Sequence, residues 1–209
     1  MAQDLLDAIS EALSASSLTS GEGTSYLDLA LHSLGVAMER QSITPSTLDV
    51  VDEYFEAAIA LTNDVNAQRV GRAFYALRGE LHWERAYGNY SNDPFMDHFR
   101  ANFAMTALMW PGHSEHSLFR SETVGIAVTI QAPHTDYPTH VHKAVEFYYP
   151  LGGTAKWLRG EEDWTTRAPG NLIFHDTGVR HATRTAEEPL LSLIVWVNDF
   201  DSESVIVRA

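Results

Sequence analysis

Over the first hundred positions the apolar residues recur at helical intervals. Leu5, Leu6, Ile9 and Leu13 give residues 4–14 one greasy face. Residues 16–24, rich in Ser, Thr and Gly, interrupt it as a flexible break. Leu27, Leu31, Leu34 and Met38 form the stripe of a second helix over residues 26–39, capped by Thr24 or Ser25. Thr44 followed by Pro45 reads as a cap and a first-turn proline, which predicts a third helix running to Leu61. Val70, Phe74, Leu77 and Leu81 mark a fourth over residues 66–85, and Asp93-Pro94 opens a short fifth.

After about residue 101 the texture changes. Apolar runs shorten, β-branched residues rise, and turn signals recur at Pro111-Gly112, Gly152-Gly153, Pro169-Gly170, Thr177-Gly178 and Glu188-Pro189. Residues 124–130, 145–149, 171–175 and 190–197 read as strands. Short strands at this spacing predict a small all-β barrel or sandwich. The expectation is an α+β chain, mainly β. A helical N-terminal region (residues 1–100) packs on a β-barrel (residues 101–209) as one compact unit, with no internal repeat.

Chemistry concentrates in the run PHTDYPTHVHKAVEFYYPLGG, residues 133–153. Read as strand, it gives His140, His142, Glu146 and Tyr148 one parity and hence one face. Lys143 and Tyr149 then point away. Two imidazoles and a carboxylate converging in one space suit a divalent metal of borderline softness, zinc, iron or manganese. His181, just past Gly178, is the best candidate for a further ligand. Three histidines and a glutamate leave coordination positions open, which separates a reactive centre from a closed structural one.

Composition narrows the partners. The 209 residues carry a formal charge of -14, from 28 acids against 14 bases, and only Lys143 and Lys156 are lysines. A field of that sign repels phosphate backbones and anionic lipid, so neither nucleic acid nor a membrane is an expected partner. The absence of cysteine excludes disulfides, thiolate ligands and thiol nucleophiles. The start, MAQDLLDAIS, lacks the charged and apolar regions of a secretory signal, and no apolar run approaches the roughly 18 residues of a spanning helix. The expected location is the cytoplasm. Composition does not specify an oligomeric state.

The run and its downstream partner resemble the two motifs of the cupin superfamily. His140, His142, Glu146 and Gly153 match the first, with His134 where its leading glycine would stand. Gly170, Gly178 and His181 match the second, with Asp176 replacing its proline and Thr185 its asparagine. Within that superfamily, Tyr137-Pro138-Thr139-His140-Val141-His142, then Glu146-Phe147-Tyr148 and Trp196, are similar to the cupin-type dimethylsulfoniopropionate (DMSP) lyases, the DddL, DddQ and DddW group. The helical N-terminal region resembles that group as well. The resemblance implies a cupin barrel (double-stranded β-helix or jelly roll) and a carbon–sulfur lyase. That enzyme splits its small zwitterionic substrate into dimethyl sulfide and acrylate.

It further implies His140, His142, Glu146 and His181 as metal ligands, with Tyr148 or His140 completing the set. Tyr148 is then the catalytic base, and Tyr137 a second active-site tyrosine. Aromatic faces suit a sulfonium, so Tyr137, Tyr148 and Trp196 are the first candidates for its wall, and Trp157 and Trp164 rank after them. The plainer readings are a rim-packing Tyr137, a core Tyr148 and a core-filling Trp196. His175 is expected beside the ligands with Asp176 orienting it, and His134 near the entrance or structural. His32, His82, His98, His113 and His116 receive no role. The same ligand set would also serve an iron-dependent cupin dioxygenase, and a cupin barrel can be a non-catalytic small-molecule binder.

Overall fold

The computed structural model describes residues 2–16, 21, 23–36, 42–111, 116–200 and 202–208. Its helices are α1 (Ala2–Ala15), α2 (Thr24–Gly35), α3 (Asp49–Ala60), α4 (Val65–Ala76) and α5 (Asp97–Ala101). The strands are β1 (Phe103–Pro111), β2 (Phe119–Ser121), β3 (Val124–Gln131), β4 (Asp136–Val141), β5 (Val145–Gly152) and β6 (Ala155–Arg159). After them come β7 (Thr165–Arg167), β8 (Ile173–His175), β9 (His181–Thr185), β10 (Leu190–Val197) and β11 (Val205–Ile206). They form a six-stranded sheet, β2-β1-β3-β10-β5-β8, and a five-stranded one, β11-β4-β9-β6-β7. The class is α+β and mainly β, as expected.

Three helix ends differ from the sequence reading. The third helix begins at Asp49 rather than at Pro45. The backbone around Ser46 is taken up elsewhere: Ser46 bridges His82, its N–H donates to the Leu81 carbonyl, and its carbonyl accepts from Trp83. A residue paired in this way cannot also supply a first helical turn. For the same reason α4 stops at Ala76 instead of reaching Arg85. A single 3₁₀ turn (Arg78–Glu80) follows, and then extended chain. Val70, Phe74, Leu77 and Leu81 are nonetheless all fully buried. The second helix starts two residues earlier than expected, behind Gly23 at φ 84°, with no side-chain cap. Its expected last turn with Met38 and Glu39, like Gly112, His113 and most of the break after Ser16, lies outside the described residues. Asp93 caps the 3₁₀ turn Pro94–Met96 that leads into α5, its carboxylate accepting from Phe95 N at 3.2 Å.

The six-stranded sheet is the divider of the molecule. One face carries Val124, Ile126, Val128 and Ile130 of β3, Leu191, Leu193, Val195 and Val197 of β10, and Val145, Phe147 and Tyr149 of β5. These merge with the apolar stripes of α1–α4 into one buried cluster. Contact there is close enough to need glycine. A Cβ on Gly152 would lie 2.0 Å from the carbonyl oxygen of Ala58 at the end of α3. Gly153, the glycine that closes the first motif, has φ 78°. His134 stands at φ 53°, so the turn keeps its left-handed residue although the motif's leading glycine is missing. The other face of the sheet looks toward the five-stranded sheet, and the polar residues sit between the two.

Candidate metal centre and chamber

His140 and Glu146 do not share a strand. His140 lies in β4 of the five-stranded sheet, Glu146 and Tyr148 lie in β5 of the six-stranded sheet, and His142 begins the turn between them. The single-strand reading is therefore corrected. The four side chains converge because the two strands belong to sheets that face each other. Opposite His140 on β9 stands His181, its direct cross-strand partner. Donor atoms of His140, His142, Glu146 and His181 all fall within 4.8 Å of one another, and all four residues are buried.

Each imidazole is held in the tautomer that a metal ligand needs. Nδ1–H of His140 donates to the Pro138 carbonyl, that of His142 to Ala144 and that of His181 to Val179, each at 2.9 Å. The three Nε2 atoms are thereby turned inward, that of His142 to 3.3 Å from Glu146 Oε2. His181 Nε2 lies 2.9 Å from Glu146 Oε2 yet makes no aligned hydrogen bond. Without a second proton on that ring, the contact would set a lone pair against a carboxylate. A shared cation relieves it. The residues thus fit a divalent metal ion, and the set could hold one.

Electrostatics agree with that fit. Burial, then the neighbouring His181, holds His140 well below its ordinary 6.5, so its lone pair is free. Burial would likewise lower His142, but the charge and hydrogen bond of Glu146 outweigh it and raise that pKa. Burial would raise Glu146, but the charge and hydrogen bond of His142, with help from His181, hold it well below the usual carboxylate range. Trp196 adds a neutral donor, its Nε1–H reaching Glu146 Oε1 at 2.6 Å while its ring lies 4.5 Å from that of His142.

Above these donors is a cavity of about 380 Å³ whose walls include Tyr137, His140, Glu146, Tyr148 and Trp196. Strand register explains why they meet. Trp196 pairs with Glu146 and Glu146 with His175, while Ile194 pairs with Tyr148, so these rows share the inner face. Tyr137 is three residues before His140, and regular alternation would send it outward. The β4–β9 register slips between Tyr137 and His140, and that bulge returns Tyr137 to the inner face. Its ring stacks on His140 at 4.1 Å and 8°.

The arrangement matches known proteins. A family profile for dimethylsulfoniopropionate lyase matches residues 25–192. The chain belongs to the DMSP lyase family. Dimethylsulfoniopropionate lyase DddQ of Ruegeria pomeroyi (strain DSS-3) is 31 % identical over 135 residues, 64 % of this chain. The matched stretch spans 63 % of that relative's length. The crystal structure of DMSP lyase DddQ from the same organism superposes with a TM-score of 0.72 and 26 % identity, covering 99 % of this chain and 96 % of that one. A chain from the crystal structures of DMSP lyases RdDddP and RnDddQII has the same fold, with a TM-score of 0.76, 18 % identity and coverage of 99 % and 97 %.

In this family member several chamber residues escaped the sequence reading. Tyr87, at φ 58°, joins its hydroxyl to those of Tyr137 at 2.8 Å and Ser204 at 2.7 Å. Burial raises its pKa despite those two bonds. Trp110 reaches the chamber over Gly125, where a Cβ would stand 2.8 Å from the indole. The only signals for these were aromatics in the turn-rich segment Tyr87–Asn92 and before Pro111. His175 does stack on His181, at 4.2 Å and 14°, but Asp176 does not orient it: that carboxylate accepts from Thr177 N at 2.7 Å. Neither ring nitrogen of His175 has a protein partner. Trp157 is buried edge-on to Tyr148, Trp164 lies under Arg184 at the surface, and His134 is exposed beside Glu187. Lys143 is exposed, and Tyr149 bonds Asp64 on the helical side. No helix among the described residues is long and apolar enough to cross a membrane.

Proposed function

We propose that this chain is a metal-dependent carbon–sulfur lyase that cleaves dimethylsulfoniopropionate to dimethyl sulfide and acrylate by β-elimination. One observation carries the reading: Tyr148, a phenol, lines the same chamber as His140 and Glu146 of the donor set. The metal ligands are His140, His142, Glu146 and His181, and the set suits zinc, iron(II) or manganese. A divalent cation held there supplies Lewis acidity toward a substrate carboxylate and the opposite charge that makes a buried phenolate tolerable.

Without such a charge, burial first and then Glu146 keep the Tyr148 phenol well above 10, so it is neutral. As phenolate, its oxygen takes the Cα proton. The Cα–H electron pair becomes the new Cα=Cβ bond, and the Cβ–S pair leaves with sulfur as neutral dimethyl sulfide. No acid is needed for that departure. Trp196 presents a ring face to the sulfonium, whereas Tyr137, stacked on both His140 and Phe99 and fixed by Tyr87, offers its hydroxyl edge. Tyr137 is also held well above 10, chiefly by burial and then by its phenolic neighbours Tyr87 and Tyr148, so it acts as a neutral donor at the substrate. The test is gas-phase detection of dimethyl sulfide from purified protein supplied with the zwitterion, with and without a chelator. Metal-loaded protein that releases none sinks the proposal, and turnover that requires dioxygen replaces it with the oxygenase.

A further inference from the structure

We propose that His82, Glu84 and His116 form a second, surface metal site that clamps one wall of the chamber. His82 and Glu84 are alternate residues of extended chain and project to one side: His82 bridges Ser46, and Glu84 bridges Met105 through N–H···O bonds of 2.9 Å in both directions. His116 meets them from the connection before β2. Its ring stacks on His82 at 3.7 Å and 17°, and its Nδ1 stands 3.7 Å from Glu84 Oε2.

Two observations point to a cation. First, one donor atom from each residue falls within 4.8 Å of the others. Second, His82 Nδ1–H donates to the Thr44 carbonyl at 2.7 Å, the device that orients the three buried histidines, which leaves its Nε2 lone pair to face outward. Zinc–ligand bonds of about 2.0–2.2 Å place tetrahedral donors roughly 3.4 Å apart. Closing the set on an ion needs movements of about an ångström and a turn of one ring. His116 and Glu84 are about half exposed, 45 % and 47 %, and free to make them. Two imidazoles and one carboxylate select zinc, copper(II) or nickel over magnesium or calcium, and the chain's net charge of -14 favours any cation.

The consequence reaches the active chamber. Glu84 is bonded through its main chain to Met105, and Met105, Ala86 and Trp110 are chamber wall. An ion here ties that wall to residue 116 without touching the buried ligands.

The test is zinc stoichiometry on the full chain after stripping, by calorimetric titration and elemental analysis. The double variant His82→Ala/His116→Ala should take one equivalent fewer than the unaltered protein, whatever the buried site takes. Glu84→Gln, which preserves the side chain's size and is exposed enough not to affect folding, should weaken that equivalent by at least about tenfold. Equal stoichiometry in the unaltered and double-variant proteins, or unchanged affinity in Glu84→Gln, overturns the proposal.

Discussion

Replacing Trp196 by Phe separates two jobs that this side chain could perform. As part of the chamber wall it presents a ring, and Phe keeps a ring. As a donor it makes the 2.6 Å bond to Glu146 Oε1, and Phe removes it. Glu146 is 1 % exposed, so bulk solvent does not reach it to replace the lost N–H. A hydrogen bond to a buried charged group is worth about 1.5–3 kcal/mol, and a partner that orients a ligand typically changes metal affinity by roughly ten- to hundredfold. Those two ranges agree at about 1.4 kcal/mol per tenfold. Trp196→Phe should therefore bind zinc roughly ten- to hundredfold more weakly, in a competition titration of stripped protein against a chromophoric chelator. Loss of the donor also lets the Glu146 pKa rise, so the deficit should widen as pH falls. If affinity stays within about twofold of the unaltered protein at every pH while the Michaelis constant climbs, Trp196 is wall alone and the orienting argument is wrong.

Tyr148→Phe should cut dimethyl sulfide release by roughly 10²–10⁴-fold, the range for a lost general base, with metal content unchanged; turnover near the starting rate removes its role. Glu146→Ala or His181→Ala should lower the tightly bound metal measured by elemental analysis, and full retention would mean that the wrong donors were chosen. Acidifying stripped protein from about pH 7.5 to about pH 5 should lower its melting temperature, because His140 and His175 sit well below their ordinary 6.5 and only the unfolded chain takes up those protons. His142, raised, works in the opposite direction by stabilising the fold below 6.5, and Glu146 matters only at lower pH. A melting temperature that rises on acidification would show that His142 outweighs the two neutral rings.

Legibility followed the range of the interactions. Residue parity picked out His140, His142, Glu146 and Tyr148 for a geometry that does not exist, one continuous strand. Their convergence survives because the chain turns at residues 142–144 and brings β5 to face β4. Tyr137 has the wrong parity altogether, and only the motif resemblance proposed it; the bulge that re-aims it depends on pairing with β9 and is invisible locally. Tyr87 and Ser204, 117 positions apart, share a hydrogen bond that no window of sequence contains. The false helix start at Thr44-Pro45 has the same origin. Its capping signal is genuine, but the pairing of Ser46 with His82 satisfies those backbone groups better.

The helical region turns out to do two different things, divided by the six-stranded sheet. Helices α1–α4 lie on the side of the six-stranded sheet away from the chamber. They bury the sheet's outer face, and through Gly152 their backbone touches the very strand that carries Glu146 and Tyr148. The stretch from Ala86 to Phe103 crosses to the other side and supplies Tyr87 and Phe103 to the chamber. A carboxylate buried among three imidazoles is costly unless it is paired and hydrogen-bonded, and β5, packed from behind by the helices, presents Glu146 to His142 and Trp196, which do so. Packing on one face therefore underwrites the geometry on the other. Fold and site share a strand: β5 carries Glu146 and Tyr148 on its inner face and Val145, Phe147 and Tyr149 on the outer one.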